Sequence, residues 1–184
     1  GLARDAGPVP QRPQERQAWM RFKSQTLTRF TLDLRQAVQA IRGPQVKTAR
    51  NLFALPILEP QSEAWFAQNL DDFLAAYDWT VPMAMPLMES VPIDASQAWL
   101  TRLVQAVARH PGALKKTIFE LQARDWNRRQ QNAIPDQQLA DWMRLLRLNG
   151  VKNYGYYPDD FINNQPDISR IRPQFSSWWY PDHD

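Results

Sequence analysis

The chain has 184 residues, of which 43% are hydrophobic and 11% aromatic, and its 22 basic and 19 acidic residues give a net charge of +3. This composition excludes a disordered chain, and the small, dispersed charge argues against nucleic-acid binding. With no cysteine and two histidines, we expect no disulfide, no thiol chemistry and no histidine-based metal site or catalytic triad, and no apolar run is long enough to span a membrane.

The sequence of the first part of the chain predicts a tail followed by one helix and one strand. Residues 1–13 read as a loop or tail, and apolar residues at steps of three or four predict a helix over 14–42, ended by Gly43-Pro44. The expected inward face of this helix consists of Trp19, Phe22, Phe30, Leu34, Val38 and Ile41. A near-continuous apolar run predicts a buried strand at Ala49–Leu58.

The rest of the chain continues the same alternation. A second helix is expected over 61–77, a third from a cap at Asp94 or Ser96 to His110, and a fourth over 136–149. Three further strands are predicted at Thr80–Met88, Lys116–Ala123 and Val151–Tyr157.

Four parallel strands alternating with helices predict an α/β fold, the C-terminal half of a (β/α) TIM-like barrel. A whole barrel of this kind has eight strands and about 250 residues. We therefore expect residues 14–184 to be the C-terminal part of a larger barrel, with upstream strands outside this sequence. A complete open α/β sheet is the alternative.

Glu89 follows the apolar run Pro82-Met-Ala-Met-Pro-Leu-Met, which places a carboxylate at a predicted strand tip. Barrel enzymes carry their sites at the carboxyl ends of the strands, and an apolar setting suits a general acid because it raises the pKa of a carboxyl group. Glu89 is therefore a candidate catalytic residue. The alternative is a loop glutamate in solvent.

Glu120 lies inside a predicted strand, where a carboxylate must find partners. Strand alternation puts Ile118, Glu120 and Gln122 on one face and Phe119 and Leu121 on the other. Glu120 could bind sugar, take part in catalysis, or form half of a structural ion pair.

Aromatic and acidic side chains crowd the predicted strand ends. Tyr154, Tyr156, Tyr157, Asp159 and Asp160 predict a sugar subsite, or alternatively an aromatic strand followed by an aspartate-rich turn. The tryptophans proposed for ring stacking are Trp79, Trp126, Trp178 and Trp179, and those assigned to the core are Trp19, Trp65, Trp99 and Trp142. The acidic residues expected at the strand tips, forming a groove that attracts amines, are Asp78, Glu89, Asp125, Asp159 and Asp160. The sequence has no phosphate-binding loop and no metal-spaced cluster, so we expect no cofactor or metal in this chain.

Three long phrases carry a family resemblance. They are KTARNLFALPILEPQSEAWFAQNLDDFLAAYDWTVPMAMPLMES, FELQARDW and NGVKNYGYYPDDFINNQPDISRIRPQFSSWWYPD. From about Trp19 to its end, the chain resembles the C-terminal glycoside hydrolase-like domain of periplasmic poly-β-1,6-N-acetyl-D-glucosamine N-deacetylases of the PgaB/HmsF type.

The resemblance implies a two-domain, outer-membrane-associated lipoprotein of Gram-negative biofilm formers. Its N-terminal metal-dependent domain, absent from this sequence, would deacetylate the polymer. Its C-terminal (β/α) barrel would bind the partly deacetylated polymer and, in some members, hydrolyse it as an endo-glycosidase. The implied partners are this polymer and the rest of the same polypeptide.

The family's catalytic pair is an Asp in an Asp-Asp-Ala motif and a Glu after the Met-Pro strand. The Glu matches Glu89, whereas the Asp-Asp-Ala motif is absent and Arg4-Asp5-Ala6 is not a convincing substitute. Two classes of function therefore stay open: part of a glycoside hydrolase site, and a non-catalytic surface that binds the polysaccharide and guides its export.

Overall fold

The computed structural model describes residues 12–127 and 132–175. The chain divides into two compact units, Gly1–Thr80 and Val81–Asp184. The α-helices are α1 (Pro13–Arg42), α2 (Ala54–Leu58), α3 (Glu63–Phe66), α4 (Leu70–Ala76), α5 (Ile93–Ala108), α6 (Asp136–Leu148) and α7 (Ile168–Ile171). The strands are β1 (Ala49–Leu52), β2 (Trp79–Ala84), β3 (Phe119–Gln122), β4 (Arg124–Asp125), β5 (Asn132–Ala133) and β6 (Tyr154–Tyr157).

The main sheet has the strand order β1-β2-β3-β6. Strand β3 runs parallel to both neighbours, with Glu120 opposite Met83 on one side and Gly155 on the other. The prediction of four parallel strands alternating with helices is therefore confirmed. The four strands of the main sheet lie side by side in the order in which they occur along the chain, as they would in half of an eight-stranded barrel. In a doubly wound open sheet, by contrast, the strand order reverses at a switch point.

Helix α1 starts at Pro13, whose fixed φ suits the first turn, and stops at Gly43 with a φ of 91°. Its inward face was predicted wrongly. The residues that α1 buries are Ser24 and Thr28, and α1 packs against α3 and α4. Five of the six stripe residues are exposed, from 46% at Val38 to 83% at Ile41, and Trp19, assigned to the core, is half-buried.

The strand predicted over 49–58 is much shorter than expected, with four residues. Strand β1 ends at Leu52, and the next apolar residues form the short helix α2, which buries Ala54, Pro56 and Ile57. A short apolar run does not distinguish a buried strand from a buried helical turn, and proline is tolerated in the first helical turn. The helix predicted over 61–77 is likewise divided, because Ala67 adopts a left-handed conformation with a φ of 51°.

The core of the second unit lies between one face of the sheet and helices α5 and α6, which pack against each other. Phe119 and Leu121 are fully buried in β3. The indole of Trp142 donates a 2.8 Å hydrogen bond to the Ser96 hydroxyl, and the core assignments of Trp99 and Trp142 are confirmed. Trp65, in contrast, is 86% exposed on α3, so its core assignment is wrong.

Strands β2, β3 and β6 are shorter than predicted, and a second sheet was missed. The prediction extended β2 to Met88, but the strand ends at Ala84 and residues 86–90 form a turn. Beyond β3, the two-residue strands β4 and β5 pair in antiparallel fashion. Among the described residues, no helix is both long and apolar enough to cross a membrane.

Candidate functional site

The candidate site lies where β2, β3 and β6 end together in the second unit. The carboxyl ends of parallel strands share one edge of a sheet, and the register places Gln122, the last residue of β3, opposite Tyr157, the last residue of β6. The Ala123 amide then donates a 2.8 Å hydrogen bond to the Tyr157 carbonyl. The segments that follow these three strands therefore emerge at the same edge.

Glu89 lies half-buried on the turn that follows β2. Its amide donates to the carbonyls of Met85 and Pro86 at 3.3 and 3.1 Å. The next residue, Ser90, has a φ of 59°, a left-handed conformation that reverses the chain after the carboxylate. The tight backbone bonding fixes where the Glu89 side chain leaves the main chain.

The side chain of Gln122 connects this turn to β3. Gln122 is fully buried, and its Oε1 accepts hydrogen bonds from the amides of Leu87 at 2.7 Å and Met88 at 3.3 Å. Its Nε2 donates a 2.8 Å hydrogen bond to the Arg124 carbonyl. The sequence analysis missed this residue as part of the site; a polar amide at the end of an apolar strand was the available signal.

Asn127 and Asp125 make further contacts that hold the turn carrying Glu89. The Asn127 side-chain amide donates to the Leu87 carbonyl, and the Asn127 backbone amide donates to Asp125 Oδ1 at 3.0 Å. Asp125 is only 8% exposed, so this carboxylate, expected in an acidic groove, is instead largely buried at the end of β4.

Trp126 and Tyr157 form the aromatic part of the edge. Their rings stack with centroids 6.1 Å apart and an interplanar angle of 24°. Tyr157 is 56% exposed and Trp126 is half-buried. Partly exposed flat rings are suited to contact with the apolar face of a sugar.

Tyr156 is directed away from this stacked pair. Successive strand residues point to opposite faces, and the Tyr156 ring contacts Phe175 at 6.1 Å. The Tyr156 hydroxyl donates a 3.0 Å hydrogen bond to Asp159, which is exposed. Burial of the ring, the hydrogen bond to Asp159 and the negative charge of Asp159 together raise the pKa of Tyr156 to about 12.

Asp160 organises the loop after β6. Its carboxylate accepts hydrogen bonds from the Asn163 side chain at 2.8 Å and the Asn163 backbone at 3.1 Å, which lower its pKa. Its backbone pairs with Gln165 in both directions, and Arg124 lies 3.8 Å from the carboxylate. This geometry matches the aspartate-rich turn that the sequence left open as an alternative.

Glu120 lies two residues before Gln122 in β3 and is half-buried. Its neighbours in register, Met83 and Gly155, are also half-buried, whereas Phe119 and Leu121 are fully buried. The predicted alternation of faces is therefore present, and Glu120 lies on the face opposite the helix-packed core, below the edge that carries the turn.

Trp79 and Asp78 lie at the other end of β2. Trp79 is the first residue of that strand, and the Asp78 carboxylate accepts hydrogen bonds from the Thr48 amide at 2.8 Å and the Thr48 hydroxyl at 3.0 Å. The amide hydrogen bond is the main cause that lowers the pKa of Asp78 to about 2, and Lys47 lies 3.2 Å away. Asp78 therefore joins the segments that enter β1 and β2, and its predicted place at a strand tip is wrong.

Several other sequence predictions fall outside the described residues, namely the stacking roles of Trp178 and Trp179 and the comparison with Arg4-Asp5-Ala6. Within residues 12–127 and 132–175, no group of three or more His, Cys, Asp or Glu side chains is arranged to hold a metal ion.

Comparison with known proteins identifies the family. The family model described as "Hypothetical glycosyl hydrolase family 13" matches residues 1–157. Two curated relatives named poly-beta-1,6-N-acetyl-D-glucosamine N-deacetylase, from Escherichia coli strain K12 and Escherichia coli O157:H7, are each 54% identical over 185 residues. The alignment covers 100% of this chain but 28% of each relative, so the chain spans less than a third of their length.

A solved structure agrees with this assignment. The PgaB (BpsB) glycoside hydrolase domain from Bordetella bronchiseptica is 44% identical, with a TM-score of 0.85 over 91% of this chain and 46% of that chain. The resemblance found in the sequence is therefore confirmed, and the chain belongs to the family described as hypothetical glycosyl hydrolase family 13.

Proposed function

We propose that this chain forms part of an endo-glycosidase site that binds and hydrolyses partially deacetylated poly-β-1,6-N-acetyl-D-glucosamine. In this proposal it is one domain of a larger deacetylase and hydrolase, which acts in the periplasm and is anchored to the outer membrane by lipid. The names of the relatives and the family assignment support the polymer and the reaction class.

The observation that carries the proposal is the arrangement at the edge of the sheet. The turn that bears Glu89 is hydrogen-bonded to the end of β3. The stacked rings belong to Trp126, which directly follows β4, and to Tyr157, which ends β6. A carboxylate on the same sheet edge as flat, partly exposed rings suits a glycosidase, which must grip a sugar and protonate or attack at its glycosidic bond.

We assign Glu89 as the catalytic carboxylate of this segment, acting as general acid/base or orienting the group that does. Glycosidases use two carboxylates, and we assign the second to the part of the longer polypeptide that this chain does not cover. Trp126 and Tyr157 would stack on sugar rings, and Tyr156 would hold Asp159 in place to accept hydrogen bonds from hydroxyl or amine groups. We retain Glu120 and Asp160 as candidate substrate contacts, with Asp160 acting through the loop that it shapes. Trp79 begins β2, at the end of that strand opposite to Glu89, so we do not assign it to this site.

A second candidate function is a non-catalytic surface that binds the polymer and guides its export. The exposed ring of Tyr157 and the exposed Asp159 favour it, because ring stacking and hydrogen bonding hold a sugar without any bond cleavage.

The test compares Glu89→Gln with wild type in the full-length polypeptide that contains this chain. Loss of a positioned acid or base costs roughly 10²- to 10⁴-fold in rate, so cleavage of partly deacetylated polymer should fall by at least about 100-fold. Polymer affinity should stay within a few-fold of wild type. Glu15→Gln, at the exposed start of α1, serves as the control and should cleave normally.

Near-normal turnover by Glu89→Gln would contradict the catalytic assignment. A wild-type protein that binds the polymer and leaves its chain length unchanged would favour the export surface instead.

A further inference from the structure

The buried amide of Gln122 is hydrogen-bonded through both its oxygen and its nitrogen to backbone groups on two different segments. Its oxygen accepts from the consecutive amides of Leu87 and Met88, and its nitrogen donates to the Arg124 carbonyl. Burying an amide without partners costs roughly 1–3 kcal/mol by protein mutational data, so a fully enclosed glutamine strongly favours the one turn position that satisfies it.

The position of Gln122 is itself fixed. Gln122 pairs in register with Tyr157 of β6. The next residue, Ala123, donates a hydrogen bond to the Tyr157 carbonyl and accepts one from the Ile134 amide at 2.9 Å. The Gln122 side chain therefore extends from a backbone that is held by hydrogen bonds to β6 and to the segment at Ile134, and it transmits that position to the turn after β2.

Asn127 provides the complementary contact. It donates to the Leu87 carbonyl, so the Leu87 peptide groups are held at their N–H by Gln122 and at their C=O by Asn127. Glu89 lies two residues further on, and its own amide bonds back to Met85 and Pro86. The turn can therefore shift relative to β3 only if these hydrogen bonds break.

We propose that Gln122 is a positioning residue that sets the location of the Glu89 carboxylate relative to the sugar-binding rings. This inference rests on the function proposed above, because it assumes that Glu89 does the chemistry. Gln122 is buried and acts through the Leu87–Met88 backbone. A displacement of about 1 Å at a reacting group can cost about 100-fold in rate.

The experiment measures kcat and KM for partly deacetylated polymer with the full-length polypeptide. Gln122→Met keeps the size of the side chain and removes its hydrogen bonds, and kcat should fall roughly 10- to 100-fold while KM changes less than about 3-fold. Gln122→Glu keeps the acceptor for the Leu87 and Met88 amides and should recover part of that loss. Gln137→Met, the same substitution on the exposed start of α6, should match wild type.

Asn127→Ala gives a second measurement that does not disturb a buried position, since Asn127 is exposed. It should lower kcat about 3- to 10-fold at an unchanged melting temperature. If Gln122→Met fails to fold, the Asn127→Ala result alone tests whether the contacts to the Leu87 peptide groups position Glu89. In the Glu89→Gln background, adding Gln122→Met should leave the dissociation constant for the polymer within about 2-fold, because binding does not use the positioned carboxylate.

The two proposals fail in different ways. If Glu89→Gln is inactive while folded Gln122→Met and Asn127→Ala both turn over within about 2-fold of wild type, the positioning role is overturned and the function stands. If Glu89→Gln itself turns over normally, both are overturned. Equal losses in Gln122→Met and Gln122→Glu, with KM raised as much as kcat is lowered, would also overturn the positioning role, because the site would then have been disrupted as a whole.

Discussion

The ring of Tyr157 stacks on the indole of Trp126, with centroids 6.1 Å apart, although the two residues come from different strand segments. Tyr157 ends β6, whereas Trp126 directly follows β4. The two rings therefore stabilise each other's orientation before any ligand arrives, and part of the entropy cost of ordering a binding platform is already met in the free protein.

Tyr157→Ala should weaken the binding of partly deacetylated glucosamine oligosaccharides by about 1–3 kcal/mol, by analogy with the stacking of nucleic-acid bases on aromatic side chains. Tyr157→Phe keeps the ring and should bind within about 2-fold of wild type. Isothermal titration calorimetry on the full-length protein measures both. Equal affinity in Tyr157→Ala and wild type would show that the stacked pair does not contact sugar.

The Tyr156 hydroxyl should ionise well above its ordinary range. Burial and the Asp159 carboxylate raise its pKa to about 12, against an ordinary value of 10.0. Because the folded pKa is raised, the resulting stabilisation is fully present below pH 10 and is lost as the pH rises through 12. Asp159→Asn removes the charge and should bring the ionisation to lower pH. The ultraviolet difference titration between each protein and its Tyr156→Phe counterpart isolates this phenol, and an unchanged midpoint would contradict the coupling.

Asp78 should stabilise the first unit in a pH-dependent way. Its pKa is lowered to about 2, first by the hydrogen bond from the Thr48 amide. Since the folded pKa is depressed, the stabilisation is present above pH 3.8 and is lost as the pH falls towards 2. The difference in unfolding free energy between wild type and Asp78→Asn should therefore shrink over that interval in urea titrations. A difference that stays constant from pH 6 to pH 2 would rule out this linkage.

Ser96→Ala should destabilise the second unit by about 1–3 kcal/mol. The Ser96 hydroxyl accepts from the Trp142 indole at 2.8 Å and donates to the Ile93 carbonyl at 2.6 Å, and both side chains are fully buried. The substitution leaves the indole N–H buried without its acceptor. Thr101→Ala, at an exposed hydroxyl on the same helix, should stay within about 0.5 kcal/mol of wild type. Chemical denaturation of the 184-residue chain compares the two, and equal losses would refute the role of the buried pair.

The alternation of helices and strands could be predicted from periodicity, and so could the core positions of Trp99 and Trp142. Periodicity could not determine which surface of α1 is covered. Phe22 and Phe30 share an apolar stripe, yet both are more than half exposed because α1 packs through Ser24 and Thr28. A repeat of apolar residues identifies a stripe, whereas its burial depends on the elements that lie next to it.

Residue type made Glu89, Trp126 and Tyr157 candidates, and the structure places all three at the edge of the sheet where the strands end. The hydrogen bonds by which a residue of one strand holds the turn after another strand were not predictable. Gln122 was assigned to a strand face from alternation, but its bonds to Leu87 and Met88 join residues 35 and 34 positions apart, which no local pattern indicates. Asp78 was misplaced although the predicted strand already began at Thr80, because a residue that precedes a strand lies at the end opposite to the strand tip.

The hydrogen bonds from β3 to the Leu87 peptide groups also limit how the chain length can vary here. An added residue between Met85 and Met88 would take the Leu87 and Met88 amides out of reach of Gln122, whereas an added residue after Ser90 would leave them in place. Loop grafting or natural length variation should therefore be tolerated just before α5 and not ahead of Glu89. The number of residues from Met85 to Met88 is therefore constrained by hydrogen bonds to the neighbouring strand.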